Sequence, residues 1–544
     1  MGQLFKGLAD EIINFRWKSS PVEASFEGIH LYDHLLDHYD PGTRQEYFRE
    51  IQKYLERLKG IDDNDLKSMD KLDKKILMEA LEVEIKLEQA YKRLDRDAAL
   101  YPEICLYGIY IILLRNFAPF SERIKSVSGR LNEIPRVLKE GTENLRKGIN
   151  IPKIWTEIAI EIVEDGIQFF EFVIPQAAAK SGECRQGILE ANTKAIDALN
   201  KYLGFLRQEL LPISDGEFRF GKELFEFVLK HQHMLPYSAE DLLKIGQETI
   251  SSTQKEMEKV GMEIADGKDW PVMVAMIKKN HPEADELIEF YRNEMNRARD
   301  FVAKNKLVDI PENESLNVVE TPLFERTTIP YAAYMPPAPF ESRQEGFFWV
   351  TPVNPRLPKE IQEEQLEGHN KWGVALIALH EGYPGHHLQF LHSNRVDSKV
   401  RRVFGTPVFA EGWALYCEEL MYEKGFYADP RTRLMQLKDQ LWRACRVVID
   451  VQLHTGKMSF SEAVDMLVEV SHLERTNAIA EVKRYTQSPT QPMSYIMGKM
   501  EILKLRREFA NLKGDKFDLM EFHNKLLSYG TIPIELVRRE MISS

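Results

Sequence analysis

The residue types for metal-assisted hydrolysis are gathered in Leu379-His380-Glu381-Gly382-Tyr383-Pro384-Gly385-His386-His387. Five of the fourteen histidines lie between His369 and His392. His380 and Glu381 follow the apolar run from Trp372 to Leu379, which reads as a buried helix delivering both side chains into an interior. Burying an imidazole and a carboxylate is costly unless something pairs with them. A divalent metal carrying a water is one such partner. In the pattern H-E-x-x-H two histidines share one helical face and the glutamate serves as base. Here the next histidines come six and seven residues on, not four.

That spacing decides the local geometry. On a regular helix a residue six along points about 120° away, and one seven along returns to the same face after about 10.5 Å of rise. Pro384 lacks a donor and clashes with the carbonyl four residues back, that of His380. Gly385 adds backbone freedom. A broken or bulged helix is therefore expected, swinging His386 or His387 back towards His380. His386 is the expected second ligand and His387 the alternative. A third ligand is available in Glu411, in the first turn of the apolar stretch Phe409-Ala410-Glu411-Gly412-Trp413-Ala414-Leu415-Tyr416-Cys417. Two histidines, one distant glutamate and an open fourth position make a catalytic zinc shell. Glu418 and Glu419 read as solvated.

These residues, His380 to Gln389 and Glu411 to Tyr416, resemble the family known as domain of unknown function 885, most specifically between about Ala375 and Lys499. That family looks like a distant relative of the helical zinc peptidases whose third ligand is a glutamate on a following helix. The dipeptidyl peptidase III group is a parallel: it tolerates an insertion between its two histidines and keeps a glycine before the second. By that analogy Gly385-His386 matches the pair, which favours His386. The resemblance also implies that Tyr495, or failing that Tyr485, donates a hydrogen bond to the oxyanion.

The elements that must position these groups are mostly helices. Leu66, Met69, Ile76, Ala80, Val83, Leu87, Ala90 and Leu94 recur at three- and four-residue spacing, and similar stripes lie near 152–176, 187–212 and 284–304. Breaks are expected at Asp40-Pro41-Gly42, Gly141, Ile151-Pro152 and Ser214-Asp215-Gly216, and a helix cap at Ser238. His30, His34 and His38 are spaced for one helical face and read as solvated. The texture turns strand-like at Val318-Val319-Glu320, Thr327-Thr328-Ile329 and Phe347-Phe348-Trp349-Val350-Thr351. A small sheet there can hold an extended peptide along its edge, with Tyr334 and Trp349 as substrate-contacting candidates and Tyr331 close by. Downstream, Trp442, Arg446, Asp450 and His454 recur every fourth residue on one apolar helix. Arg446 is a candidate clamp for a substrate carboxylate, and His454 a second oxyanion donor.

Composition bounds the rest. The 544 residues are 43% hydrophobic and 29% charged with a net charge of −13, which suits a large core and disfavours nucleic acid or an anionic membrane as partner. Cys105, Cys184, Cys417 and Cys445 show no close pairing, and no apolar run approaches the ~20 residues of a membrane span. A cytoplasmic location is the expectation. The whole reads as a mainly α, multi-helix metallopeptidase-like body with a small β-sheet beside a deep central cleft. A helical N-terminal half (1–310) would precede a catalytic half (311–544). The expected function is zinc-dependent cleavage of short peptides with Glu381 as general base. A zinc hydrolase of other amides or esters, or a non-catalytic helical binding protein, is the alternative. Oligomeric state is not indicated.

Overall fold

The computed structural model describes residues 2–264, 269–321, 326, 329 and 331–542. The apolar stripes become the helices Ser68–Ala90, Lys153–Ala179, Arg185–Phe205 and Leu287–Lys304. Asp40 caps the helix Pro41–Lys59 by accepting from the amides of Gly42 and Thr43, and Ser238 caps Ala239–Ile264 through the Asp241 amide at 3.1 Å. Gly141 is a correction: the helix Phe120–Lys147 runs through it, and a side chain there would meet the Tyr101 ring. The histidine face is another, because His30–Tyr32 is a single 3₁₀ turn. No single described helix is long and apolar enough to cross a membrane.

The chain gathers into two compact units. One comprises Met1–Phe218 with the short segment Ala338–Arg343, and the other Arg219–Pro337 with Gln344–Ser544. Within the first unit that short segment is well held. The Phe340 amide donates to the Glu27 carbonyl at 2.9 Å, Phe340 packs edge-on against Trp17, and Glu341 lies 3.6 Å from Arg115.

The second unit carries the sheet and the histidine-rich stretch. Strand β3 (Glu345–Val350) is central, parallel to β1 (Ser315–Glu320) and antiparallel to β2 (Ala332–Met335). The strand expected at Thr327-Thr328 lies outside the described residues. Phe348 and Val350 point into a core with Tyr291, Met295, Val374 and Ala378, which seats the sheet against the helices Leu287–Lys304 and Lys371–Glu381. Helix Pro407–Glu423 packs along Ser494–Lys513, and Ala239–Ile264 along Pro430–His454.

Candidate metal centre

Asn370 starts the first site helix, Lys371–Glu381, by accepting from the Gly373 amide at 2.8 Å. Val374, Ala375, Leu376, Ala378 and Leu379 are buried along it, so its last turn delivers His380 into the interior at 6% exposure. The helix stops there. Gly385 turns the chain so tightly that a Cβ would lie 1.8 Å from the His380 carbonyl oxygen, a position closed to every residue but glycine. Its amide donates to the Leu379 carbonyl at 3.0 Å, and its carbonyl accepts from Gln389 at 3.0 Å to start the helix His386–Ser393. The Trp413 indole fastens the turn by donating to the Pro384 carbonyl at 2.8 Å.

The reset register brings His386 back, not His387. Nε2 of His386 lies 3.3 Å from Oε2 of Glu411, and Nε2 of His380 lies 3.9 Å from the same oxygen. One donor atom from each of the three falls within 4.8 Å of the others. Glu411 comes from the helix Pro407–Glu423, whose N-cap is Thr406. Burial opposes a charge on either Glu411 or His386. Their mutual hydrogen bond and attraction outweigh it, holding the Glu411 carboxyl down at about 2 and raising the His386 imidazole to about 9.

Glu418 is the first residue the spacing argument missed. It is buried, and its Oε1 lies 2.8 Å from Nδ1 of His380. A carboxylate only accepts, so Nδ1 carries the proton and the Nε2 lone pair faces Glu411. Glu418 stands seven residues after Glu411, a step that returns to the same helix face. That spacing was the available signal. Glu419, also expected in solvent, is instead paired with Arg433 at 3.1 Å and Lys499 at 3.0 Å.

His387 turns the other way, into a second network. Its Nε2 lies 3.0 Å from Oε2 of Glu314, and its Nδ1 lies 3.0 Å from the Tyr334 hydroxyl. Tyr383 and Arg299 also donate to Glu314. Burial would raise the Glu314 carboxyl, but His387, Tyr383 and Arg299 hold it at about 2. Nothing in its sequence neighbourhood marks Glu314. Tyr334 is thus placed beside the second histidine. Trp349 is buried at 4% exposure within β3, opposite Val319 and Ala333, and belongs to the sheet's packing.

The other expected residues divide. Tyr495, at the start of Ser494–Lys513, lies beside Glu411 and helps to hold its carboxyl down. Glycines bring the two helices together: a Cβ on Gly498 would lie 1.8 Å from the Val408 carbonyl oxygen, and one on Gly412 would lie 2.4 Å from Gly498 Cα. Glu381 accepts no hydrogen bond and forms no ion pair among the described residues. Arg446 is spent internally, donating to the Tyr485 hydroxyl at 2.9 Å and to Glu481 at 3.0 Å. His454 is turned to the Tyr485 carbonyl at 3.0 Å and packs on Phe220 and Phe225, about 12 Å along the helix from Arg446. Asp450 accepts from the amides of Thr490 and Met493. The ladder's lower half therefore braces the chain entering the Tyr495 helix. A second convergence, His38, Asp40 and Glu140, is outward-facing, with Asp40 serving as a helix cap and Glu140 bound to Arg136.

A family model described as bacterial protein of unknown function (DUF885) matches residues 21–541. The chain belongs to the DUF885 family. No curated protein matches it. Two solved structures resemble this DUF885 protein along its whole length. One, from Shewanella oneidensis, is described as a "putative lipoprotein of unknown function"; it is 25% identical, with a TM-score of 0.82 over 99% of both chains. The other, described as a "putative lipoprotein" from Colwellia psychrerythraea, is 19% identical, with a TM-score of 0.84 over 99% of this chain and 98% of that one. These descriptions overturn the expected cytoplasmic location, since a lipoprotein is anchored to a membrane outside the cytoplasm. The cysteine argument failed for a physical reason. All four thiols are free, and Cys105, Cys417 and Cys445 are buried, so their lack of pairing reflects packing and not compartment.

Proposed function

We propose that this DUF885 protein is a zinc-dependent hydrolase that cleaves short peptides in the manner of a metallopeptidase, working in a cleft beside the small sheet. The observation that carries the reading is the convergence of His380 Nε2, His386 Nε2 and Glu411 Oε2, with Glu381 left unpaired one residue from His380. The donor set fits zinc: two imidazoles, one carboxylate, and Glu418 fixing the tautomer of His380. When bound, zinc supplies a Lewis acid that polarises the scissile carbonyl and acidifies a water.

The protein's own groups do the rest. Glu381 takes a proton from the attacking water and passes it to the departing nitrogen, which then leaves as a neutral amine. Tyr495, held beside Glu411, donates to the oxygen on which negative charge develops. The lipoprotein relatives favour an exported enzyme tethered at a membrane, where short peptides are encountered.

The reading is tested by elemental analysis and a peptide panel together. Purified protein should carry about one zinc per chain, as the three-ligand set requires. His386→Ala and Glu411→Ala should lose the metal, and His387→Ala should keep it. Glu381→Gln should retain zinc and abolish cleavage. Protein that takes up no zinc rejects the reading. Zinc with turnover only of esters or non-peptide amides moves the substrate and keeps the chemistry.

A further inference from the structure

Beside the metal centre, one buried guanidinium is only loosely matched by its carboxylates. Arg443, on the helix Pro430–His454, is only 13% exposed at its side chain. The nearest carboxylates are both distant: Glu418 at 3.8 Å and Asp439 at 3.9 Å. Glu418 is already committed to His380, and Asp439 also faces Lys438 at 3.5 Å. Among the described residues, the one direct hydrogen bond of this guanidinium is to the Asp439 carbonyl, at 3.2 Å. Nearby, Glu481 alone serves both Arg446 and Arg484, at 3.0 and 2.9 Å. Two buried donors in the same wall, Arg443 Nε and Trp442 Nε1, have no hydrogen-bond acceptor. A buried guanidinium N–H left without an acceptor is expensive, because its desolvation is uncompensated.

The position of this charge relates it to the reaction. Arg443 is one link from the metal ligands on each side. Glu418 joins it to His380, and the Tyr495 ring, 5.6 Å from its Cζ, joins it to Glu411. The Trp442 ring is 5.9 Å from Arg443 and 4.1 Å from Arg446, so the aromatic and cationic groups form one surface. Arg446, with its donors taken by Tyr485 and Glu481, cannot offer the fork that Arg443 still has.

We propose that Arg443, assisted by Trp442 Nε1, is a carboxylate-binding subsite of the hydrolase proposed above, and that its substrates carry a free carboxylate within one or two residues of the scissile bond. A guanidinium and an indole N–H suit the planar, two-oxygen acceptor of a carboxylate. An extended peptide advances about 3.3–3.6 Å per residue, so a carboxylate one or two residues from the scissile bond stays close to the groups that flank the metal ligands. The carboxylate belongs either to the chain terminus or to an acidic side chain.

Binding is read by calorimetry on zinc-loaded Glu381→Gln protein, in which turnover is blocked, with three probes. These are N-acetyl-glycyl-leucine, its C-terminal amide, and N-acetyl-glycyl-aspartic acid with an amidated terminus. The free acid should bind about 30-fold more tightly than its amide, in keeping with a charge-assisted, two-pronged contact. Arg443→Met should bring that ratio close to one while zinc content and melting temperature hold, and Arg443→Lys should restore part of it. If the amidated aspartyl peptide matches the free acid, the carboxylate is a side chain; if it matches the amide, the terminus is recognised. Equal affinity for acid and amide in the Arg443 protein overturns the subsite, as does an equal loss for both in Arg443→Met. Acid-selective binding without cleavage by the Glu381 protein rejects the hydrolase and leaves the subsite standing. Cleavage without acid selectivity does the reverse.

Discussion

His380 is held at Nδ1 by Glu418, which leaves Nε2 facing Glu411 at 3.9 Å. A ligand held this way loses little freedom when a metal arrives, so its partner affects affinity without touching the ion. Glu418→Gln should weaken zinc binding by ~10–100-fold in a chelator competition, while His387→Ala, which disturbs only the Glu314 network, should leave it nearly unchanged. Two roles can be separated for Tyr495. If its hydroxyl serves the transition state, Tyr495→Phe should lower kcat by ~100-fold with KM and zinc affinity held. A parallel loss of zinc would instead assign it to orienting Glu411.

At the scale of elements, the centre depends on two helices meeting at glycines. Gly498→Ala puts a methyl group into the Val408 carbonyl and forces Pro407–Glu423 away from Ser494–Lys513. The cost should be ~1–3 kcal/mol, the usual penalty of overpacking, seen as a lowered melting temperature together with reduced zinc occupancy. Most of the helices were readable because apolar stripes at three- and four-residue spacing have one good solution. The broken helix at Pro384-Gly385 was readable because each residue forbids the regular continuation. Glu418 was not, since an acid within a helix looks the same in sequence whether it faces water or an imidazole. The His454 ladder misled for a related reason. A shared helix face does not mean a shared site when its members stand two turns apart. Strand β2 (Ala332–Met335) escaped because alanines and flanking prolines carry little strand signal, whereas Val318-Val319 and Phe347–Val350 were plain.

For the molecule as a whole, buried titrating groups set opposing slopes of stability with pH. Burial holds His233, His369, His454 and His523 down at about 3, 4, 4 and 3, so each is neutral when folded. Below about 6.5 the unfolded chain binds more protons at these positions, and their contribution is lost as the pH falls. Burial raises Glu27, Glu103 and Asp450 to about 7 and Asp37 to about 6, and these acids favour the folded chain as the pH falls to about 4. Glu314, Glu419 and Glu481 are held at about 2 by their partners despite burial, and their contribution goes as the pH drops below about 4.5. Urea titrations should therefore show a shallow pH dependence between about 5 and 6.5 and a steep fall below about 4.5, where the histidines and the paired acids act together. The composition of the first unit has a different consequence. Because it includes Ala338–Arg343, no single cut in the gene yields both units whole. A chain ending at Phe218 would leave Trp17, Glu27 and Arg115 without the six residues that cover them. The two units are therefore inherited together: recombination at their border would hand each descendant an incomplete half, and only an exchange that also carries the hexapeptide could move one unit without the other.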